Sequence, residues 1–129
     1  MKVYTLPGDP IPLARARVGK RSVWDSQKQL KLIAGLAVVN QHGSLPIYDK
    51  ALKLDVTFYI GFPLRMNKKT KASKMGTNHV YKPDVSNLLK FVEDVCTGIV
   101  YKDDSLISIV VAHKIYDDNP RTEFTITEL

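Results

Sequence analysis

Over residues 52–62 the chain alternates strictly. Leu52, Leu54, Val56, Phe58, Ile60 and Phe62 are apolar, and Lys53, Asp55, Thr57 and Tyr59 stand between them. A period of two predicts a strand with one buried face. Residues 1–6 read as a shorter strand, stopped by Pro7-Gly8-Asp9-Pro10. Residues 106–116 are β-branched and apolar almost throughout, the composition of a central strand. Asp117-Asp118-Asn119-Pro120 makes a turn, after which Thr122, Phe124 and Ile126 alternate along a last strand.

Between these strands the period changes to that of a helix. Ser26-Gln27-Lys28-Gln29 has the form of a capping box and opens a helix running to about residue 40, before His42-Gly43. Leu30, Ile33, Ala34, Ala37 and Val38 form its expected core stripe. Leu32, Leu36 and Val39 make a second apolar face, so the helix is either sandwiched within the domain or shared with a partner chain. A second helix is expected over 84–97, closed by Gly98. Residues 11–22 read as an irregular loop, and 63–82 as a loop of about 20 residues, a length that is usually functional or disordered. The order β-α-β-α-β-β predicts a single α/β (α+β) domain over residues 1–129, with helices packed on one mixed sheet.

Composition narrows the class. At 129 residues the chain is long enough for a real core, and 44% hydrophobic with 25% charged residues is ordinary for a globular protein. No apolar run approaches the roughly 20 residues of a membrane span, and residues 1–7 lack the apolar block of a signal peptide. The single cysteine, Cys96, lies among Val92, Val95 and Ile99 and reads as a buried filler. Neither paired cysteines nor a histidine pair at ligand spacing suggests zinc. His42, His79 and His113 carry no spacing signal; His79, nearest the chemistry, is placed to contact phosphate but reads better as a plain loop residue. A cytoplasmic protein with no membrane partner is expected.

The net charge of +6 matters less than where it sits. Residues 13–24 hold Arg15, Arg17, Lys20 and Arg21 and no acid. Residues 62–83 hold Arg65, Lys68, Lys69, Lys71, Lys74 and Lys82, again with no acid. Ten of the 19 basic residues thus fall in two segments that exclude all 13 acids. Solvated lysine-rich loops are the plain explanation; loops that contact phosphates explain the exclusion better.

On a helical wheel of about 100° per residue, Leu88, Leu89, Val92, Val95, Cys96 and Ile99 fill one arc of about 120°. Asp84, Asn87, Lys90 and Asp94 fill another. A solvated outer face with a Lys90–Asp94 pair accounts for this pattern, and Asp84 or Ser86 equally suits a helix N-cap. Lys102-Asp103-Asp104 changes the balance, because adjacent carboxylates at a strand entrance repel each other unless a turn, a base or a metal compensates. Convergence of Asp84, Asp94 and Asp103 or Asp104 would offer the hard oxygen ligands that Mg²⁺ prefers. Basic segments on either side then suggest phosphodiester chemistry.

Lys82-Pro83-Asp84-Val85-Ser86-Asn87-Leu88-Leu89-Lys90, followed by Glu93-Asp94, Gly98 and Lys102-Asp103-Asp104-Ser105, resembles the RusA family of Holliday junction resolvases. Gly8-Asp9-Pro10-Ile11-Pro12, Arg15, Arg17 and Val23-Trp24-Asp25 are similar to that family's opening segment. The resemblance implies a homodimer that binds four-way DNA junctions and nicks them with Mg²⁺. It implies that Asp84 and Asp104 bind metal and Lys90 is catalytic. Asp103 and Ser86 stand at further metal-site positions, and Asn87 and Asp94 support the site. Arg15, Arg17, Lys20, Arg21, Arg65, Lys68, Lys69, Lys71, Lys74 and Lys82 would hold the DNA backbone. Ser86 departs from the family pattern, which has a second aspartate there. A non-catalytic or weakly active junction-binding module is therefore the alternative. A basic interaction protein with a merely solvated acidic face is a third reading.

Overall fold

The computed structural model describes residues 2–14, 17–18, 23–24 and 26–129. Its main sheet has four strands, β1 (Val3–Pro7), β4 (Leu52–Ile60), β5 (Ile107–Tyr116) and β6 (Arg121–Glu128), in the order β1-β6-β4-β5. β6 is antiparallel to both β1 and β4, while β4 and β5 run parallel, so the sheet is mixed. The parallel pair is joined by a crossover carrying α2 (Lys68–Lys74) and α3 (Val85–Cys96); α1 (Lys28–His42) connects toward β4. β2 (Arg17–Val18) and β3 (Val23–Trp24) form a two-residue antiparallel ladder within the first basic segment. With three helices and a mixed sheet, the fold is α+β, as the order of elements predicts. Among the described residues no helix is long and apolar enough to cross a membrane.

The alternation of β4 is reproduced side chain by side chain. Leu52, Leu54, Val56 and Phe58 are buried, and Lys53, Asp55, Thr57 and Tyr59 are half-buried on the other face. Thr122, Phe124 and Ile126 of β6 and Tyr4 and Leu6 of β1 complete the buried face, onto which Val38, Leu88, Phe91, Val92 and Val95 pack from the helices. β1 lies at a sheet edge, where main-chain groups would lack partners. The Gln41 side-chain amide covers that edge: Thr5 N–H donates to Gln41 Oε1 at 2.7 Å, and Gln41 Nε2 donates to Thr5 O at 2.8 Å. Beside it, Tyr4 Oη and His42 Nδ1 are 2.6 Å apart, and His42 Nε2 is 3.0 Å from Pro46 O. A carbonyl can only accept, so Nε2 carries the proton. In the neutral ring, Nδ1 then accepts from the Tyr4 phenol.

Four expectations are corrected. β5 is an edge strand, not a central one, and β4 lies between it and β6. The C-terminal half of β5 is covered instead by residues 76–79: Gly76 N–H donates to Tyr116 O, Tyr116 N–H to Thr77 O, and His79 N–H to Lys114 O. The capping box of α1 does not form. Gln27 occupies the N-cap, and its amide reaches back to Ala14 N–H and Pro12 O, both at 2.8 Å. The buried line of α1 runs through Gly35, Val38 and His42. That leaves Leu30 and Ile33 exposed on one flank and Leu32, Leu36 and Val39 on the other. Finally, residues 63–82 are not an unstructured loop. Asn67 caps α2, its Oδ1 accepting from Thr70 N–H at 2.8 Å, and Gly76 ends the turn with φ +75°.

Candidate active site

α3 begins at Asp84, the N-cap residue, which leaves Ser86 inside the first turn. The Asp84 carboxylate makes no capping hydrogen bond; its nearest charged partner is Lys82 Nζ at 3.3 Å, and both side chains stand in solvent. The helix terminus itself favours the negative charge there. The approach to Asp84 is fixed by a residue the sequence pattern did not single out. Lys114 Nζ, on β5, donates to Tyr81 O at 2.6 Å and to Pro83 O at 2.8 Å. A lysine inside an otherwise apolar strand was the available signal. On the other side, Leu13 N–H donates to Asn87 O at 2.9 Å, which ties the start of the first basic segment to the first turn of α3.

The buried stripe of α3 is centred on Leu88, Phe91, Val92 and Val95, with Cys96 beside them. Phe91 shifts that centre from the expected one, and the outer face rotates with it. Ser86, Lys90 and Glu93 then fall on one line at i, i+4 and i+7, and Asp94 turns toward α1. Lys31 Nζ meets Asp94 Oδ2 at 2.8 Å, so Asp94 pairs across to α1. Glu93, which the helical wheel did not select, is half-buried. Burial, and after it the charge of Asp104, pushes its carboxyl above the usual range, while Lys90 pulls it down. Lys90, Glu93 and Asp104 therefore form one electrostatic group.

The segment carrying Asp104 is held tightly. Tyr101 is buried and its phenol donates to Glu93 O at 2.8 Å; Gly98, at φ +82°, turns the chain and donates to Tyr101 O. Tyr48 brackets the same segment, donating to Val100 O and accepting from Lys102 N–H. Asp103 accepts from Ser105 N–H at 3.0 Å, and hydrogen bonding from Ser105, its side chain first and its N–H second, holds the carboxyl below the usual range. Asp103 is thus the cap of the single 3₁₀ turn Asp104–Leu106, and Asp104 is left exposed.

Among the described residues no three His, Cys, Asp or Glu side chains gather in a metal-holding group. The expected three-way convergence of Asp84, Asp94 and Asp103 or Asp104 is not present. Carboxylates are the ligand type Mg²⁺ takes, commonly one or two of them with water and phosphate completing its shell. The Glu93–Asp104 repulsion is what a cation would relieve.

Arg65, Lys68 and Lys69 are exposed, and Lys71 and Lys74 are half-buried along α2. Lys74 Nζ stands 5.7 Å from the centre of the Tyr116 ring. Arg15, Lys20 and Arg21 lie outside the described residues; Arg17 begins β2.

Comparison with known proteins decides the family. The model of the endodeoxyribonuclease RusA family matches residues 7–127, nearly the whole chain. The chain belongs to the RusA family. It is also 32% identical over 135 residues to the uncharacterized protein YqaN of Bacillus subtilis (strain 168), covering 98% of this chain and 95% of that one. With the crossover junction endodeoxyribonuclease rusA of Lactococcus phage r1t it shares 35% identity over 79 residues, 60% of this chain and 55% of the phage protein. Ser86, which stands where the resemblance expects a second aspartate, sits one helical turn before Lys90 in this RusA-family chain.

Proposed function

We propose that this chain is a Mg²⁺-dependent endodeoxyribonuclease that resolves four-way DNA junctions by phosphodiester hydrolysis, working as a homodimer. The observation that carries this reading is the placement of Lys90 and Glu93 on the helix capped by Asp84, with the segment that leads to Asp104 tied to that helix by the Tyr101 phenol donating to Glu93 O. One acid-free basic segment, residues 62–83, leads directly into α3 in sequence, and the start of the other is tied to α3 by the Leu13 N–H to Asn87 O bond.

Asp84 and Asp104 would hold the ion, with Asp103 kept to its turn and Ser86 offering a neutral oxygen. What Mg²⁺ supplies when bound is Lewis acidity toward a phosphate oxygen and a more acidic water. Lys90 faces the charge that builds on the phosphoryl oxygens. Glu93 attracts the Lys90 ammonium from one turn away and orients it. Lys114 and Asn87 act through the backbone, fixing the entry to α3 and the root of the first basic segment. The lysines of α2 hold the DNA backbone and read no sequence.

A second copy fits the flanks of α1. Leu32, Ile33 and Leu36 are each more than half exposed, and the helix carries no acid. Five large apolar side chains of this helix stand in water, two on one flank and three on the other, an exposure that marks a surface for association. Sedimentation at micromolar concentration would then show a dimer, and a monomer would count against it.

Ser86 favours one other reading, a junction-binding protein with weak or no catalysis. A synthetic four-way junction and a linear duplex, each with and without Mg²⁺, separate the two. The nuclease reading expects Mg²⁺-dependent nicks in the junction; the binding reading expects a retained complex and no cut.

A further inference from the structure

Residues 61–82 enclose a cleft of about 460 Å³ against the end of β5, a volume in the range of small-ligand sites. No acid lines it; Lys74 and Lys82 do, together with His79, Tyr81 and Tyr116. The neighbouring cleft shares His79 and Lys82 but also carries Asp9 and Asp118, which oppose an anion.

The aromatic groups are built around one another. His79 stands edge-on to Tyr116 at 5.0 Å and to Tyr81 at 6.0 Å, and Tyr116 stacks flat on Phe62 at 5.2 Å. His79 is only 9% exposed, and its Nδ1 has no hydrogen-bond partner among the described residues. Buried polar atoms are almost always paired, so an unpaired one calls for a cause. Tyr81, by contrast, is 64% exposed and presents a ring to solvent. Lys82 joins the cleft to the candidate site, because its ammonium lies 3.3 Å from the Asp84 carboxylate.

Duplex backbone needs only the lysines. Ring faces beside ammonium groups are the means by which proteins hold unstacked bases. We propose that this cleft is a subsite for one unpaired DNA nucleotide next to the scissile phosphate. Tyr81 supplies the stacking face, His79 a hydrogen bond to the base, and Lys74 and Lys82 the charge for its phosphate. Burial, with help from Lys114, lowers the His79 pKa, so a neutral imidazole meets the base. The inference rests on the DNA-cleaving reading above and locates where a distorted strand is held.

The test follows the His79 ring-proton resonances, assigned with His79→Gln, while wild-type protein without Mg²⁺ is titrated with three probes. These are a single-stranded tetranucleotide, a blunt duplex and inorganic phosphate. The subsite predicts a saturable shift with the tetranucleotide alone. It also predicts affinity at least about five-fold weaker in Tyr81→Ala and recovered in Tyr81→Phe. Equal shifts with duplex or phosphate, or Tyr81→Ala binding like wild type, would overturn it. Junction cleavage in Mg²⁺, measured in parallel, separates the two ideas. Cleavage with a silent His79 removes the subsite alone. A shifted His79 without cleavage supports the subsite and removes the nuclease reading.

Discussion

Lys31 Nζ lies 2.8 Å from Asp94 Oδ2, joining α1 to α3 across their outer edges. The aspartate that shares the motif with Lys90 is therefore engaged in helix packing. Asp94→Asn should cost about 0.2–1 kcal/mol of stability, the range of a partly exposed ion pair. Junction cleavage should stay within a few-fold of wild type. Loss of cleavage with stability unchanged would move Asp94 into the catalytic group.

Lys114 should matter in the opposite way. Lys114→Met keeps much of the aliphatic stem and removes both bonds to Tyr81 O and Pro83 O. Small displacements of positioned groups are costly, so kcat should fall about ten-fold or more. Junction affinity should change little. A variant with unchanged kcat would show that the segment before Asp84 needs no such tether.

Tyr4 gives the pH prediction. Burial first, then the charges of Tyr48 and Cys96, push its phenol from the usual 10.0 up to about 12. The folded state thus favours the protonated phenol. The stability tied to it is fully present below the unfolded value of 10.0 and is lost as pH rises toward about 12. Urea midpoints measured across that window should fall in the wild type and fall less in Tyr4→Phe. Parallel curves would contradict the assignment.

Much of this was legible in the sequence because strands and helices announce themselves by period. The alternation of β4 and β6 told which side chains are buried, and the second acid-free segment told where the lysines of α2 lie. Periodicity could not say which of three apolar lines on α1 faces inward, since Gly35 and His42 are not obvious core residues. It also could not show that β5 lies at an edge, because residues 76–79 cover it through backbone bonds with little side-chain signature. At the candidate site, Asp84, Lys90 and Asp104 were readable from motif spacing. Lys114 and His79 were not, because each gains its setting from a distant part of the chain, and Glu93, though part of the motif, shows its role only once burial and the Asp104 segment surround it.

Ser86 is exposed in the first turn of α3 and is not the cap. Ser86→Asp would add a carboxylate one turn from Lys90, in a position the helix terminus favours. If the site is a cation site short of one charge, the Mg²⁺ concentration for half-maximal cleavage should drop several-fold. Stability should shift by no more than a few tenths of a kcal/mol. An unchanged Mg²⁺ midpoint would mean position 86 does not face the ion.

The most direct test of the account is Asp104→Asn against wild type on a synthetic four-way junction, with and without Mg²⁺. The substitution keeps the shape of the side chain, removes one charge, and relieves the repulsion felt by Glu93. Wild type should nick the junction only with Mg²⁺, and Asp104→Asn should bind it at least as tightly while leaving it uncut. Cleavage by Asp104→Asn at the wild-type rate, or wild-type cleavage indifferent to Mg²⁺, would contradict it.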